Sequence, residues 1–356
     1  MRKAGENPGG TEADSGEPVQ LNRPSISVLI PFRNEEKYLQ EALDSISGQT
    51  FSDFEAVLVD DSSTDSSPMI ARNCHEDDSR FRVIPCRGRG LVDALNTGLR
   101  ESRGQWVARM DADDICEPER LERQYGAARE RGPFTVVSCR VRSFPDESVS
   151  RGFRRYEEWL NGLTEEDEIE RNLFVESPIP HPTAFFHRSS VMDAGGYCER
   201  ELPEDYELWL RLWSRGFRFY RVPDILLRWR EREDRHSRVS TTYSMSRFYR
   251  LKARYMRRVS CLSGGRVFVA GSGQTARRLG KYMEREGFRI EAFVDPSPER
   301  QGQELRNRPV AGPHILESKS GVPVVVASRL PGARTEIRRF LEERGYIEWK
   351  SYVVCS

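Results

Sequence analysis

Short runs of apolar, often β-branched residues alternate with amphipathic segments between residues 25 and 110. The runs, each of which predicts a buried strand, are residues 26–31, 54–60, 81–85 and 106–110. Between them, apolar residues recur at helical spacing, most clearly over 38–46 and 91–100. Ser67, followed by Pro68, predicts the N-cap of the helix after the second strand. This alternation predicts right-handed crossovers and a mainly parallel sheet.

Polar residues cluster where the predicted strands end. They are Arg33, Asn34 and Glu35 after the first strand, Asp60 and Asp61 at the end of the second, and Asp111, Asp113 and Asp114 after the fourth. In a parallel sheet the carboxyl ends of neighbouring strands meet at one edge, and ligands of open α/β folds bind there. The pattern therefore predicts a ligand site built from these groups.

Asp111 and Asp113 form an Asp-x-Asp motif on the loop after the fourth strand. Two carboxylates at this spacing can bind one hard cation such as Mg²⁺ or Mn²⁺, which also binds diphosphate oxygens. Such a cation would neutralise the charge that develops on a departing nucleotide diphosphate. The alternative is a solvated acidic turn before the next helix.

Asp60 and Asp61 lie at the same predicted sheet edge. A carboxylate in this place can accept hydrogen bonds from the imide of a base or from ribose hydroxyls. The alternative is an Asx-type turn formed with the serine and threonine residues that follow.

Glu204 and Asp205 begin an amphipathic helical segment that extends to Ser214. A pair of acids at a helix start commonly compensates the helix dipole. One of the carboxylates can instead be the general base for an acceptor hydroxyl. The pattern alone leaves both interpretations open.

Composition restricts the class of protein. The chain has 56 Lys and Arg residues and 56 Asp and Glu residues, so no global field attracts nucleic acid or a membrane. No apolar run reaches the roughly 20 residues that span a bilayer. Residues 1–22 predict a disordered tail rather than a signal peptide. Seven scattered cysteines without a C-x-x-C pair argue against disulfides and structural zinc, and favour a cytoplasmic location.

The alternation of strands and helices weakens in the middle of the chain. The stretch 153–170 is charged and aromatic without clear periodicity, whereas alternation restarts after the glycines at 264 and 265. We therefore expect two α/β domains, one spanning residues 23–259 and ending in a connector helix, and a smaller one spanning residues 260–356.

Four segments, taken in order, resemble family 2 glycosyltransferases of the GT-A fold. They are SVLIPFRNEEKYLQEALDSISGQTFSDFEAVLVDDSSTDSS, RGLVDALNTGLRESRGQWVARMDADDICEPERLERQ, HPTAFFHRSSVMDAGGY and PEDYELWLRL. The resemblance implies transfer of a sugar from a nucleotide diphosphate donor to an acceptor hydroxyl, and a UDP-linked donor is the favoured expectation. It also implies inversion without a covalent intermediate, and a setting in cell-surface polysaccharide or glycoconjugate synthesis.

The resemblance implies donor-side roles for several residues. Those that would contact the base or ribose are Pro31, Arg33, Glu35, Asp60 and Asp61. Asp113 would be the principal ligand of Mg²⁺ or Mn²⁺, and Asp111 would lie near the metal or the ribose. His236 would be a third metal ligand or a basic group near the diphosphate, with Arg235 and Arg238 beside it.

On the acceptor side, the resemblance implies that Asp205, or its neighbour Glu204, deprotonates the acceptor as it attacks the anomeric carbon. His181 lies between two prolines where similar enzymes have a histidine near the acceptor. Its alternative role is only to shape that loop.

The second domain has its own motif. Gly271 and Gly273 lie between a predicted strand and a helix, and Asp295 ends the next strand. In dinucleotide-binding folds such glycines admit a phosphate and the acid reaches a ribose. The segment FVDPSPERQGQELRNRPVAG resembles Rossmann-like domains attached to sugar-modifying acyltransferases. We expect a Rossmann-like domain that binds a nucleotide or nucleotide sugar weakly, or that is purely structural.

Eleven Arg and Lys residues lie between Arg228 and Arg258, where apolar residues recur at helical spacing. The favoured interpretation is a connector helix with a solvated basic face. The alternative is a peripheral contact with anionic lipid headgroups at the inner membrane face, suited to a lipid-linked acceptor. RNA binding is disfavoured because the chain has no global basic excess.

The favoured function is a metal-dependent glycosyltransferase whose partners are a nucleotide sugar and a glycan or lipid-linked glycan. A sugar nucleotidyltransferase would begin with a Gly- and Arg-rich triphosphate loop, where this chain has residues 31–35. An inactive binding or scaffold protein is disfavoured by the presence of Asp113 and Asp205. A nicotinamide-dependent oxidoreductase would need a second half of the dinucleotide fingerprint, which the last domain lacks.

Overall fold

The computed structural model describes residues 23–198, 201–232, 234, 240–317 and 321–355. The predicted tail lies outside these residues, and so do Arg235, His236 and Arg238 of the predicted diphosphate-binding segment. Within the described residues the chain forms two sheets, each packed against helices.

The larger sheet comes from the first two thirds of the chain. Its strands are β1 Ile26–Phe32, β2 Phe54–Asp60, β3 Phe81–Pro85, β4 Trp106–Arg109, β5 Ile115–Cys116, β6 Thr135–Phe144, β7 Phe185–His187 and β8 Arg218–Arg230. The accompanying helices are α1 Leu39–Ser47, α2 Ser67–Asp77, α3 Leu91–Glu101, α4 Arg120–Arg131, α5 Arg151–Gly162, α6 Glu166–Arg171, α7 Arg188–Asp193 and α8 Glu204–Trp213. The strand order is β3-β2-β1-β4-β7-β6-β8-β5.

The predicted parallel arrangement is confirmed for the first four strands. β1 pairs in parallel with β2 and β4, and β2 pairs in parallel with β3. Every residue of β1 is buried, as expected for a parallel strand covered on both faces. β7 runs antiparallel to β4 and β6, and β5 runs antiparallel to β8, so the sheet as a whole is mixed.

Two local predictions are wrong. The stretch from 153 to 170, predicted to be irregular, contains α5 and α6. The aromatic residues Phe153, Tyr156 and Trp159 recur every third residue and pack against the core, but the charges between them hide this period. Ser67 is the first residue of α2 rather than its N-cap, which is Ser66. The Ser67 hydroxyl instead accepts a hydrogen bond from the Glu35 N–H at 2.8 Å.

The smaller sheet comes from the C-terminal part of the chain. Its strands are β9 Arg266–Ala270, β10 Arg289–Val294, β11 Glu304–Leu305, β12 Arg308–Ala311, β13 Val324–Ala327 and β14 Tyr352–Cys355. The helices of this part are α9 Met245–Met256, α10 Gln274–Arg285 and α11 Pro331–Glu342. The order is β11-β12-β10-β9-β13-β14, and only the β11–β12 pair among these is antiparallel. The predicted α/β fold class is confirmed for both parts.

The two sheets share one hydrophobic cluster, which extends from Leu29 in β1 through α9 to Val269 in β9. The α9 side chain of Lys252 is buried and donates to the Val175 carbonyl at 2.8 Å. The hydrophobic core is continuous across residue 260, so its packing shows no break at the predicted domain boundary. The boundary therefore remains a prediction. None of the described helices is long and apolar enough to cross a bilayer.

Gly98 in α3 allows a close contact between this helix and the sheet. A Cβ atom at this position would lie 1.9 Å from Leu29 Cδ1 and 3.1 Å from Val59 Cγ2. We expect Gly98→Ala to lower the free energy of unfolding by about 1–3 kcal/mol through overpacking, although alanine favours helix by about 1 kcal/mol.

Gly126→Ala in α4 is the matched control, because nothing lies within 4 Å of its Cβ position. This variant should gain roughly 0.5–1 kcal/mol from helix propensity alone. Urea unfolding followed by tryptophan fluorescence measures both changes. Equal stabilisation by the two substitutions would contradict the packing argument.

Candidate active site

A cleft of about 610 Å³ lies at the carboxyl edge of β1, β2 and β4. The residues proposed from sequence that line it are Pro31, Arg33, Glu35, Asp61, Asp111, Asp113, His181, Glu204 and Asp205. The fold thus brings together groups from five separate segments of the chain. Asp60 is not among the lining residues.

The two neighbouring aspartates at the end of β2 have different partners. Both carboxylate oxygens of Asp61 accept from the Gly90 N–H, at 2.9 and 3.0 Å. Arg33 Nη1 lies 3.8 Å from Asp61, but the Arg33 side chain is 60% exposed, so this ion pair contributes little. Asp60 Oδ1 accepts from the Ser63 N–H at 2.9 Å, which is the local turn foreseen as its alternative role. Asp61 is therefore the better placed of the two for a ligand.

The loop after β4 carries the acid cluster. One carboxylate oxygen from each of Asp111, Asp113 and Asp114 lies within 4.8 Å of the others. Asp114 Oδ1 accepts from the Arg230 N–H at 2.8 Å and so fixes the loop to β8. Asp111 and Asp113 face the cleft. Their hard oxygen donors fit a cation of the Mg²⁺ or Mn²⁺ type.

Arg232, one of the basic residues between Arg228 and Arg258, compensates the negative charge of this cluster. Its Nε lies 3.0 Å from Asp113 Oδ2, and its Nη2 lies 2.5 Å from Glu35 Oε1. Burial raises the pKa of Glu35 to about 7, against the lowering effect of the Arg232 hydrogen bond. Asp113 and Asp111 raise it further by repulsion.

The acid pair at the start of α8 lies on another side of the cleft. Glu204 is 4% exposed, and both of its carboxylate oxygens accept from the Tyr243 hydroxyl, at 2.8 and 2.7 Å. Asp205 Oδ1 accepts from the Tyr206 N–H at 2.6 Å. Burial raises the pKa of both carboxyl groups, and the charge of Glu204 raises that of Asp205 further. A carboxylate with a raised pKa is suited to take up a proton.

His181 is buried beside this pair. Its Nε2 lies 2.8 Å from the Tyr197 hydroxyl, and its Nδ1 lies 3.6 Å from Glu204 Oε1. Burial lowers the pKa of His181 well below its ordinary value, and the nearby Arg109 charge adds to this effect. The imidazole is therefore neutral, and its acceptor-side role remains a prediction.

Two further lining residues were not singled out from the sequence. Arg109 is the last residue of β4 and is 2% exposed. Tyr243 lies in a 3₁₀ turn, Thr241–Tyr243, just before α9. Arg109 lies within the second of the four family-like segments but had no role assigned to it, and Tyr243 lies outside all four, so only the fold shows that both lie beside the acid pair.

The glycine turn of the second sheet has a structural explanation. Gly271 has a φ of +116°, and a Cβ atom there would lie 2.9 Å from the Ala327 carbonyl oxygen. Asp295 accepts from the Ser272 hydroxyl and lies 3.3 Å from Arg300 Nη1. Nucleotide binding by Gly271, Gly273 and Asp295 remains a prediction, because these contacts account for Gly271 and Asp295 without a ligand.

The fold and the cleft define an α/β glycosyltransferase with a GT-A domain, and comparison with known proteins supplies the family. The sequence profile of "Glycosyl transferase family 2" matches residues 27–195. The amylovoran biosynthesis glycosyltransferase AmsE of Erwinia amylovora is 32% identical over 64% of this chain and 85% of its own length. EpsE of Bacillus subtilis (strain 168) is 32% identical over 62% of this chain and 78% of its own length. The chain belongs to glycosyltransferase family 2.

A solved structure shares the fold. Residues 1–349 of S. aureus TarS, in complex with UDP-GlcNAc, align with a TM-score of 0.54 and 20% identity. The alignment covers 73% of this chain and 72% of that one. The resemblance inferred from the four segments is thus confirmed for the family and for the GT-A fold.

The acid pair predicts how stability changes with pH. The pKa of Asp205 is higher in the folded protein than in the unfolded chain, so the folded protein holds this proton more tightly. The protonated carboxyl group therefore favours folding at low pH, and this contribution to the free energy of unfolding is lost as pH rises through the raised pKa. We expect Asp205→Asn to be more stable than the wild type near about pH 9 and similar to it near about pH 4. Urea unfolding at the two pH values measures this. Asp44→Asn on the exposed face of α1 is the control, and an equal response in both variants would contradict the assignment.

Proposed function

We propose that this enzyme transfers a sugar from a UDP sugar to an acceptor hydroxyl with inversion, assisted by a divalent cation, in the synthesis of a cell-surface polysaccharide or glycoconjugate. The observation that carries the proposal is that one cleft contains both an Asp-x-Asp pair and a buried acid pair. AmsE, named for amylovoran biosynthesis, supports the setting. TarS, which has the same fold and was solved with UDP-GlcNAc, supports the donor class.

In the proposed reaction the acceptor oxygen attacks the anomeric carbon of the donor. Asp205 takes the acceptor proton, a new C–O bond forms, and the bond from the anomeric carbon to the phosphate oxygen breaks. The electron pair leaves with the nucleoside diphosphate. Glu204, which accepts from Tyr243, positions the start of α8 and so holds Asp205 in place.

The remaining residues serve the donor. Asp61 accepts from the base or from ribose hydroxyls, and Pro31, Arg33 and Glu35 flank the base. Asp113 and Asp111 would hold Mg²⁺ or Mn²⁺, which when bound neutralises charge on the diphosphate. Arg232 now pairs with Asp113, and this guanidinium can turn toward diphosphate oxygens when a cation takes its place.

Screening the purified protein against UDP and GDP sugars, with Mg²⁺, with Mn²⁺ or with chelator, tests the proposal directly. Cation-dependent release of a nucleoside diphosphate, increased by a glycan or lipid-linked glycan acceptor, is the expected result. Full activity in excess chelator would refute the metal requirement. Release of pyrophosphate from a sugar phosphate and a nucleoside triphosphate would replace the proposal with a nucleotidyltransferase.

Asp113→Ala should abolish sugar transfer and weaken Mn²⁺ binding in the presence of UDP, because the diphosphate charge would lose its compensating cation. Calorimetric titration of Mn²⁺ measures the binding independently of turnover. Asp224→Ala, which removes a surface carboxylate paired with Arg123, is the control and should bind Mn²⁺ as the wild type does. Unchanged Mn²⁺ affinity in Asp113→Ala would remove Asp113 from the metal site.

Asp205→Asn should lower kcat by about 10²–10⁴-fold, because the amide cannot accept the acceptor proton. Affinity for UDP should stay unchanged. In the wild type, kcat should rise with pH across the neutral range, since burial and Glu204 raise the pKa of the base. Glu204→Gln is the comparison variant. If Glu204→Gln lost this pH dependence while Asp205→Asn kept it, Glu204 would be the base.

A further inference from the structure

Arg109 is a buried cation on the floor of the cleft whose hydrogen-bonding capacity is mostly unused. Its backbone is fixed, since its N–H donates to the Ala184 carbonyl at 2.8 Å and its carbonyl accepts from Arg120 Nη2 at 2.6 Å. Its Nη1 forms an ion pair with Asp111 Oδ1 at 2.5 Å. Its Nε is buried and has no hydrogen-bond partner among the described residues. Buried polar groups are nearly always paired, so this guanidinium points to a ligand that supplies an acceptor.

The position of Arg109 identifies which part of a ligand it meets. It lines the same cleft as Asp111 on the proposed donor side, with which its Nη1 forms the ion pair, and as Glu204 and Asp205 on the proposed acceptor side. In the proposed reaction the transferred sugar joins these two sides, because its anomeric carbon is bonded to the diphosphate and faces the base. A sugar ring in that position would lie in the part of the cleft that Arg109 lines.

We infer that Arg109, together with Asp111 and Glu204, binds the ring hydroxyls of the transferred sugar and selects a neutral hexose. A sugar hydroxyl both donates and accepts. The guanidinium donates to the hydroxyl oxygen, and a neighbouring carboxylate accepts its proton. This combination fits a hydroxyl better than it fits a group that only accepts, such as a carboxylate.

The charge of the surroundings sets the class of sugar. The proposed Mg²⁺ or Mn²⁺ is balanced by Asp111, Asp113 and the diphosphate, which leaves Arg109 as the cation beside Glu204 and Asp205, and the adjacent imidazole of His181 is neutral. Even when the acid pair shares one proton, its remaining negative charge matches the charge of Arg109. The carboxylate of a hexuronic acid would therefore find no unmatched cation here, whereas the hydroxyls or the acetamido group of a neutral hexose need none.

This inference rests on the proposed function, and the experiment separates the two. Calorimetry measures the affinity of the full-length protein for UDP and for UDP-glucose, UDP-galactose, UDP-N-acetylglucosamine and UDP-glucuronic acid. In Arg109→Met and Arg109→Lys, the affinity for the preferred neutral UDP hexose should fall by roughly 10–100-fold, the usual effect of losing a charge-assisted hydrogen bond. The affinity for UDP should stay within about threefold of the wild type, since UDP lacks the sugar.

Arg33→Met is the matched control. It removes a cation from the proposed base-binding side of the same cleft, and should weaken UDP and UDP hexoses equally. An equal loss for UDP and UDP hexoses in both Arg109 variants, together with a lower melting temperature, would overturn the inference and leave a structural role for Arg109. Tighter binding of UDP-glucuronic acid than of every neutral UDP hexose by the wild type would overturn the substrate class. Wild-type protein that binds none of these nucleotides would overturn the inference and its UDP-sugar basis together.

Discussion

Negative charge gathered in one cleft is the constraint on which the rest of the structure depends. Carboxylates lose most of their hydration on burial, so each needs a cation or a hydrogen-bond donor nearby. The Arg232 guanidinium supplies the cation for Glu35 and Asp113, and the Tyr243 hydroxyl supplies one donor, shared by the two oxygens of Glu204. Removing one partner of a buried pair leaves an uncompensated charge, which costs more than the pair itself contributes. The cleft is therefore preorganised by contacts between segments that are far apart in the chain.

The sequence predicted how the carboxylates come together because two local rules suffice. Runs of β-branched residues mark β1, β2 and β4, and parallel pairing places their carboxyl ends at one edge. Asp61 follows β2 directly and Asp111 lies two residues after the end of β4, so their proximity can be predicted without knowledge of side-chain packing. The same rules do not distinguish Asp60 from Asp61. The difference arises from a local turn in which the Ser63 N–H donates to Asp60, which leaves Asp61 to face the cleft.

The parts that the sequence did not predict depend on contacts between distant residues. Arg232 is one of eleven basic residues in its segment, and only the path of the chain after β8 singles it out. Arg109 resembles any polar residue at the end of a strand until its burial is known. α5 was missed because its half-buried aromatic face is interrupted by charged residues, which weakens the periodic signal. His236 lies outside the described residues, so its predicted role is unchanged.

The connector helix α9 links the cleft to the C-terminal part of the chain. α9 begins just after the turn that holds Tyr243, and its Phe248 lines the cleft. The Tyr255 hydroxyl donates to Glu207 in α8 at 2.5 Å, and α9 also packs against α10 of the smaller sheet. None of the described residues of the smaller sheet lines the cleft. The helix α10 nevertheless packs against α9. Without this contact, apolar residues of α9 would be exposed to water and the turn beside Glu204 would lose support.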